Sequence, residues 1–314
     1  MTQSVFATSI RPKLNGKYYT PAGLVVCFDG TVYPGAPFPP IPATNDGNGW
    51  YAGFASALAG GLMNLQDGLW NSICVGYPAA TVPMWPSVQT GRKTGVAQID
   101  AYQKWFHSQF GTYAPTVLAG YSQGTMITDQ IWLLDILSPT GVLHYLLPFV
   151  YRSYQIGHIF RSPGIAWANA AAGLSQDIKT DSVESGGIGC VLDLTPEQTN
   201  YAAPDGKPVV WSAANPGDLY TSCPTGLDPW KNLAKQGQTG QLFFKIIMQP
   251  TFVDIISAAK VLLMPISAIE EAINAGTFFS QGMNSPHYQY FPQLTACIDD
   301  ALKLGLSFPY RPGY

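Results

Sequence analysis

Leu24-Val25-Val26-Cys27-Phe28 is an unbroken apolar run that stops at Asp29-Gly30-Thr31. So short and uniform a run predicts a strand buried on both faces and ending in a loop. Tyr33 to Pro42 is Pro-rich and reads as loop, while the Ala/Gly/Leu-rich stretch from Asn48 to Leu65 reads as helix. Leu69 to Tyr77 predicts a second strand. From Ser87 to Phe110 the apolar residues Val96, Ile99, Tyr102, Phe106 and Phe110 recur at helical spacing. Thr116-Val117-Leu118-Ala119 then predicts a third strand and Gln123 to Leu137 a helix. Gly164 to Ala171 and Val209 to Ala213 are expected as later strands.

Alternation of strand and helix implies a parallel sheet with helices on its faces and right-handed crossovers. Between Asp218 and His287 the strand pattern disappears, and Leu242 to Ala275 is largely apolar with helical character. The expected organisation is therefore an α/β domain formed by residues 1–218 and 287–314. Residues 219–286 form a helical insertion over the edge of its sheet.

The strand ending at Ala119 leads into Gly120-Tyr121-Ser122-Gln123-Gly124, and a helix follows. Strand, Gly-x-Ser-x-Gly, helix is the context of a nucleophile elbow. A sharp, strained turn lifts the Ser122 hydroxyl above the sheet, and Gly120 and Gly124 make room for the close strand–helix packing. The helix N-terminus beyond Ser122 offers N–H groups and a positive dipole end to a developing oxyanion. These features are those of the α/β-hydrolase fold.

A serine nucleophile needs a base, and the chain has only His107, His144, His158 and His287. Chain order in this fold runs nucleophile, acid, histidine, which excludes His107. His144 and His158 lie in apolar runs and are expected to pack or to sit on helix surfaces. His287, in the loop Asn284-Ser285-Pro286-His287-Tyr288, is the candidate base. The acid belongs just past a late strand. Val209 to Ala213 followed by the turn Asn215-Pro216-Gly217 places Asp218 there, whereas Asp205 precedes the strand and lies at the wrong end. One oxyanion donor is the N–H of Gln123. The second comes from the Asp29-Gly30-Thr31 loop, with Thr31 favoured and Gly30 adjacent.

Composition narrows the substrate. Charged residues are 11% of the chain, against about 25% in a typical globular protein, and hydrophobic residues are 46%. The net charge is −3, and no Lys/Arg run is present, which argues against a nucleic-acid partner. A neutral or lipidic substrate suits such a surface better. Phe252 to Ile269 is the most apolar stretch, but Asp254, Lys260 and Pro265 break it, so no membrane span is expected. Met1 to Tyr19 lacks the apolar region of a secretory signal, so the protein is expected to be made in a cytoplasm. No metal or cofactor constellation is visible. The cysteines Cys27, Cys74, Cys190, Cys223 and Cys297 include no CxxC pair. Cys27 and Cys74 are expected as buried free thiols, and Cys190 and Cys223 are left open as a pair.

Gly120-Tyr121-Ser122-Gln123-Gly124 resembles the Gly-Tyr-Ser-Gln-Gly pentapeptide of cutinases and cutinase-like serine esterases. Gly217-Asp218 followed by Cys223 resembles their acid loop, with a longer gap to the cysteine. Within that superfamily the chain, from about Leu24 to Tyr290, is most similar to the lysin B enzymes of mycobacteriophages and related actinobacterial phages. Those are mycolyl-arabinogalactan esterases with a helical linker between acid and histidine. The resemblance implies ester hydrolysis through an acyl-enzyme, with Ser122, Asp218 and His287 as the triad and Gln123 and Thr31 holding the oxyanion. It implies a mycolyl-arabinogalactan or other lipid-ester substrate and action at the host cell envelope after membrane permeabilisation. Leu242, Phe243, Phe244, Ile246 and Ile247 would either shape a groove for a long acyl chain or pack the insertion onto the core.

Overall fold

The structure is a computed structural model that describes residues 13–14, 17–20, 23–31, 53–65, 69–80, 84–180, 183–189, 194–218, 220–224, 285–308 and 311–312. The Pro-rich segment 33–42, Cys190 and residues 225–284 of the expected insertion, including Leu242, Phe243, Phe244, Ile246 and Ile247, lie outside them.

The central sheet has five strands: β1 (Gly23–Phe28), β2 (Trp70–Cys74), β3 (Thr116–Tyr121), β4 (Val150–Ile156) and β5 (Val210–Ala213). They are all parallel, in the order β2-β1-β3-β4-β5. Because side chains alternate along a strand, β1 feeds two cores. Leu24, Val26 and Phe28 pack beneath α2 (Met84–Phe110) and α3 (Gln123–Gln130). Val25 and Cys27 pack on the opposite face with α1 (Phe54–Leu65) and the C-terminal helix. That C-terminal helix, Phe291–Ser307, is α5; α4 is the short Trp167–Ala171. The result is the helix–sheet–helix sandwich of an α/β-hydrolase fold.

An order of 2-1-3-4-5 has its topological switch point between β1 and β3. The chain leaves these strands toward opposite faces, opening a crevice at their carboxyl ends. The Asp29-Gly30-Thr31 loop follows β1 and Ser122 follows β3, so both predicted halves of the reacting centre meet at that crevice.

The expected strands at 24–28, 69–77, 116–119 and 209–213 are present, with small shifts in their ends, as are the helices over 87–110 and 123–137. The latter is α-helical to Gln130 and continues as a π-helix over Ile131–Leu137. Of the helix expected over 48–65, residues 54–65 are described as α1. The strand expected over Gly164–Ala171 is absent. That segment turns and forms α4, whose Asn169 side chain donates to Ala214 O at 2.7 Å and accepts from Ala214 N at 3.0 Å, docking the helix on the end of β5.

The fourth strand is instead β4, in which Arg152, Ser153 and Gln155 are polar yet fully buried. Polar residues on a central strand hide its period. They are tolerated because each finds partners. Arg152 donates to Asp300 Oδ2 (2.7 Å) on α5 and to both carboxylate oxygens of Asp205 (3.0 and 2.6 Å) before β5. Tyr154 and Lys207 also donate to Asp300. This cluster clamps the sheet to α5 at the edge away from Ser122, which accounts for Asp205 as a structural acid.

Cys27 and Cys74 are buried free thiols with their sulfurs 3.5 Å apart on paired strands, and Cys223 is likewise buried. Among the described residues no helix is long and apolar enough to cross a membrane, and no cluster of metal-ligating side chains occurs.

Arg152→Met strips two carboxylates of their buried partner. It is expected to cost about 3–5 kcal/mol of stability, read as a lower urea midpoint.

Candidate active site

Ser122 stands alone between β3 and α3 with φ 52° and ψ −121°, a positive φ that a non-glycine residue adopts only under constraint. Its neighbours supply the constraint. Ser122 N–H donates to Ile156 O at 3.0 Å, tying the elbow to β4, and its carbonyl accepts from Thr125 N–H (2.8 Å) and the Thr125 hydroxyl (2.7 Å). A Cβ on Gly124 would lie 1.9 Å from Phe28 O, and one on Gly120 would lie 2.8 Å from Thr125 Cα. Both positions therefore require glycine for the close approach expected of them.

Gly30 meets the same requirement from the other side, since a Cβ there would stand 2.9 Å from Ser122 Cβ. The loop after β1 thus rests directly on the elbow. Thr31 in the same loop is half-buried. Gln123 is the first residue of α3, so its N–H has no acceptor within the helix. Its side chain is spoken for, donating to Ala80 O at 2.8 Å and accepting from the Ser87 hydroxyl at 3.3 Å. The loop is braced by Asp29. That buried carboxylate accepts from Ala55 N–H (3.0 Å), Ser56 N–H (3.3 Å) and the Ser56 hydroxyl (2.5 Å), and so caps α1. Tyr77 donates to the Asp29 carbonyl. Burial outweighs these donors and pushes the Asp29 carboxyl up to about 6.

His287 and Asp218 meet although 69 residues separate them. Imidazole Nδ1 lies 2.8 Å from Asp218 Oδ2, with His287 2% and Asp218 0% exposed. His287 sits in a single turn, Pro286–Tyr288, capped by Ser285. Asp218 follows Gly217, whose φ of 79° reverses the chain after β5. Asn215 clips the two loops together by donating to Pro286 O (2.9 Å) and Gln289 O (3.0 Å). The His287 ring stacks on Tyr121, the residue before Ser122, at 5.4 Å, and the Tyr121 hydroxyl donates to His287 O at 3.0 Å. Ser122, His287 and Asp218 therefore converge on one end of the sheet.

Asp218 also accepts from the Tyr290 hydroxyl at 2.5 Å and from Tyr220 N–H at 3.0 Å. Burial alone would push its carboxyl up. The charge and N–H of His287, helped by Tyr290 and Tyr220, instead hold it below the usual carboxylate value. An acid so supplied stays ionised and orients the imidazole.

The other histidines lie elsewhere. His107 stacks on Tyr113 at the end of α2, and His144 Nδ1 lies 2.9 Å from Ile136 O. His158 is fully buried just past the carboxyl end of β4, bonded to Asp129 and Ser212. Sequence reasoning missed the bracing role of the Asp29 carboxylate, the Tyr290 hydroxyl on Asp218 and the polar partners of buried His158. Only proximity in space, which no local pattern encodes, reveals them.

No protein-family model matches the chain. It is 38% identical over 90 residues to Endolysin B of Mycobacterium phage D29, a stretch covering 29% of this chain and 34% of the relative. To Endolysin B of Mycobacterium phage L5 it is 34% identical over 114 residues, covering 35% of this chain and 43% of the relative. The aligned stretches thus span less than half the length of either relative. The crystal structure of lysin B from Mycobacteriophage D29 superposes with a TM-score of 0.62 at 24% identity, over 88% of this chain and 98% of that one. The chain has the lysin B fold.

At this site the buried carboxylates of Asp218 and Asp29 should respond to acid in opposite ways. Asp218 is depressed, so its stabilisation is present above the unfolded carboxylate value of about 3.9 and is lost as pH falls through its folded value. Tyr290→Phe removes part of that. It is expected to cost about 1.5–3 kcal/mol at neutral pH, with a deficit that shrinks at acidic pH in denaturation curves. Asp29 is raised, so its contribution is full below its unfolded value and lost as pH rises to about 6. Measured against wild type, Asp29→Asn should therefore gain relative stability between about pH 4 and pH 6.

Proposed function

We propose that this chain is a serine esterase that cleaves the ester bond between mycolic acids and arabinogalactan in a mycobacterial-type cell wall. The observation that carries the reading is the Asp218–His287 pair, buried beside a strained serine elbow at the sheet's switch point. That arrangement suits acyl transfer. The lysin B fold and the partial sequence likeness to two mycobacteriophage endolysins support it. The motifs Gly120–Gly124 and Gly217-Asp218 resemble those of cutinase-like esterases, and the substrate class follows from the similarity of the chain, from about Leu24 to Tyr290, to lysin B enzymes.

In the proposed reaction the Ser122 hydroxyl attacks the mycolate carbonyl while His287 takes its proton. The tetrahedral oxyanion lies between the Gln123 N–H and the Asp29–Thr31 loop, where Thr31 is the favoured second donor. Collapse expels the sugar oxygen, which receives the proton from His287, and leaves an acyl-Ser122. Water, deprotonated by His287, then attacks the acyl group and releases the fatty acid. Asp218 keeps the imidazole in the tautomer that presents Nε2 to the reacting atoms. The enzyme would be made in the host cytoplasm and would reach the envelope once the membrane is permeabilised.

The test is to incubate purified mycolyl-arabinogalactan with wild type and with Ser122→Ala, then quantify free mycolic acids. Release is expected from wild type, with a fall on the order of 10⁶-fold in the variant. Cleavage of a short-chain ester without release of mycolate would point to a cutinase-like lipase acting on other lipid esters. Cleavage of neither would favour a wall-binding or virion structural role for the scaffold.

A further inference from the structure

His158 has no part in the chemistry proposed for Ser122, yet it is the centre of a second buried polar set. Its Nε2 lies 2.7 Å from Asp129 Oδ2 on α3, and its Nδ1 lies 2.7 Å from Ser212 Oγ on β5. All three side chains are 1% exposed or less. The set continues into β4, where Gln155 donates to Asp129 Oδ1 (3.1 Å) and accepts from the Thr128 hydroxyl (2.8 Å).

Each end of the set belongs to an element that presents one reacting side chain. Asp129 lies on the helix that begins directly after Ser122. Ser212 lies on the strand that leads to Asp218. His158 itself follows Gly157, where a Cβ would stand 3.1 Å from His287 Cε1, so this turn packs against the His287 ring. The backbone reinforces the arrangement. His158 N–H donates to Ala213 O at 3.3 Å, and Ile159 N–H donates to the Thr125 hydroxyl at 3.2 Å, the same hydroxyl that donates to Ser122 O.

Hydrophobic packing alone would let these three elements slide by fractions of an ångström. A hydrogen-bonded imidazole between a carboxylate and a hydroxyl has one geometry. We propose that His158 is a positioning residue: through Asp129 and Ser212 it holds the nucleophile's helix, the acid's strand and the turn against His287 in register. Activity as a readout rests on the esterase reading above, so the test also carries one that does not.

With p-nitrophenyl butyrate as probe, His158→Ala and Asp129→Ala are expected to lower kcat on the order of 10- to 100-fold with little change in KM, the penalty of a misplaced reacting group. Ser212→Ala is expected to lose a few-fold. Asp129→Asn should lose less than Asp129→Ala, because its amide can donate to Nε2 once the His158 proton moves to Nδ1. Nitrogen-15 shifts of the imidazole would report that tautomer change. In parallel, the downfield proton resonance of His287 Nδ1–H against Asp218 should move in His158→Ala and Ser212→Ala. Folded variants with a lowered Tm, wild-type kcat and an unmoved His287 resonance would overturn the proposal. If His158→Ala does not fold, Ser212→Ala and Asp129→Asn give the same readouts. A wild type that cleaves no ester would sink the esterase reading, while the His287 resonance would still decide the positioning role.

Discussion

The helix after Ser122 packs directly on the carbonyl of Phe28. No side chain fits there: a Cβ on Gly124 would fall 1.9 Å from that oxygen. This contact sets how closely α3 approaches the end of β1, which the sheet ladder pairs with the end of β3 through Phe28 and Gly120, at the switch point. With it in place, the loop after β1 lies on the elbow, Gly30 against Ser122, and the N-terminal N–H of α3 faces the same space. The cost is a strained backbone at Ser122. The hydrogen bonds that Ser122 donates to Ile156 O and accepts from Thr125 hold that strain.

Charge is managed at this end of the molecule by burial with full hydrogen bonding. Asp29, Asp129 and Asp218 are all buried, and each is surrounded by donors on named elements. Their directions differ because their partners differ. Asp218 faces an imidazole, a tyrosine hydroxyl and a backbone N–H, and is held low. Burial pushes Asp129 up, although His158 opposes it. Asp29 is pushed up by burial against only neutral donors. The carboxylate that must remain charged is thus the one beside a group that acquires charge during the proposed reaction.

The nucleophile elbow, the order of serine, acid and histidine, and four of the five central strands were legible because each leaves a local trace. Glycine spacing, short apolar runs and a turn after a strand are all written in neighbouring residues. β4 was not legible, since Arg152, Ser153 and Gln155 look like surface residues until Asp205, Asp300 and Asp129 are found beside them. The Gly164–Ala171 segment misled for the converse reason: small apolar residues fit a strand or a tight helix equally, and Asn169 docking on Ala214 selects the helix. Tyr290 was overlooked because its partner Asp218 lies 72 residues away.

By itself the sequence determined which chemistry is available: a serine at a turn that only glycines permit, a histidine in a late loop and an aspartate after a late strand. These are local demands, and the backbone satisfies them wherever the segments lie. Only the tertiary structure decided the environment of each group. Desolvation, the donors around Asp218 and the union of Asp129, His158 and Ser212 arise between segments distant in the chain. Their energies depend on separations of a few ångströms that no single segment controls.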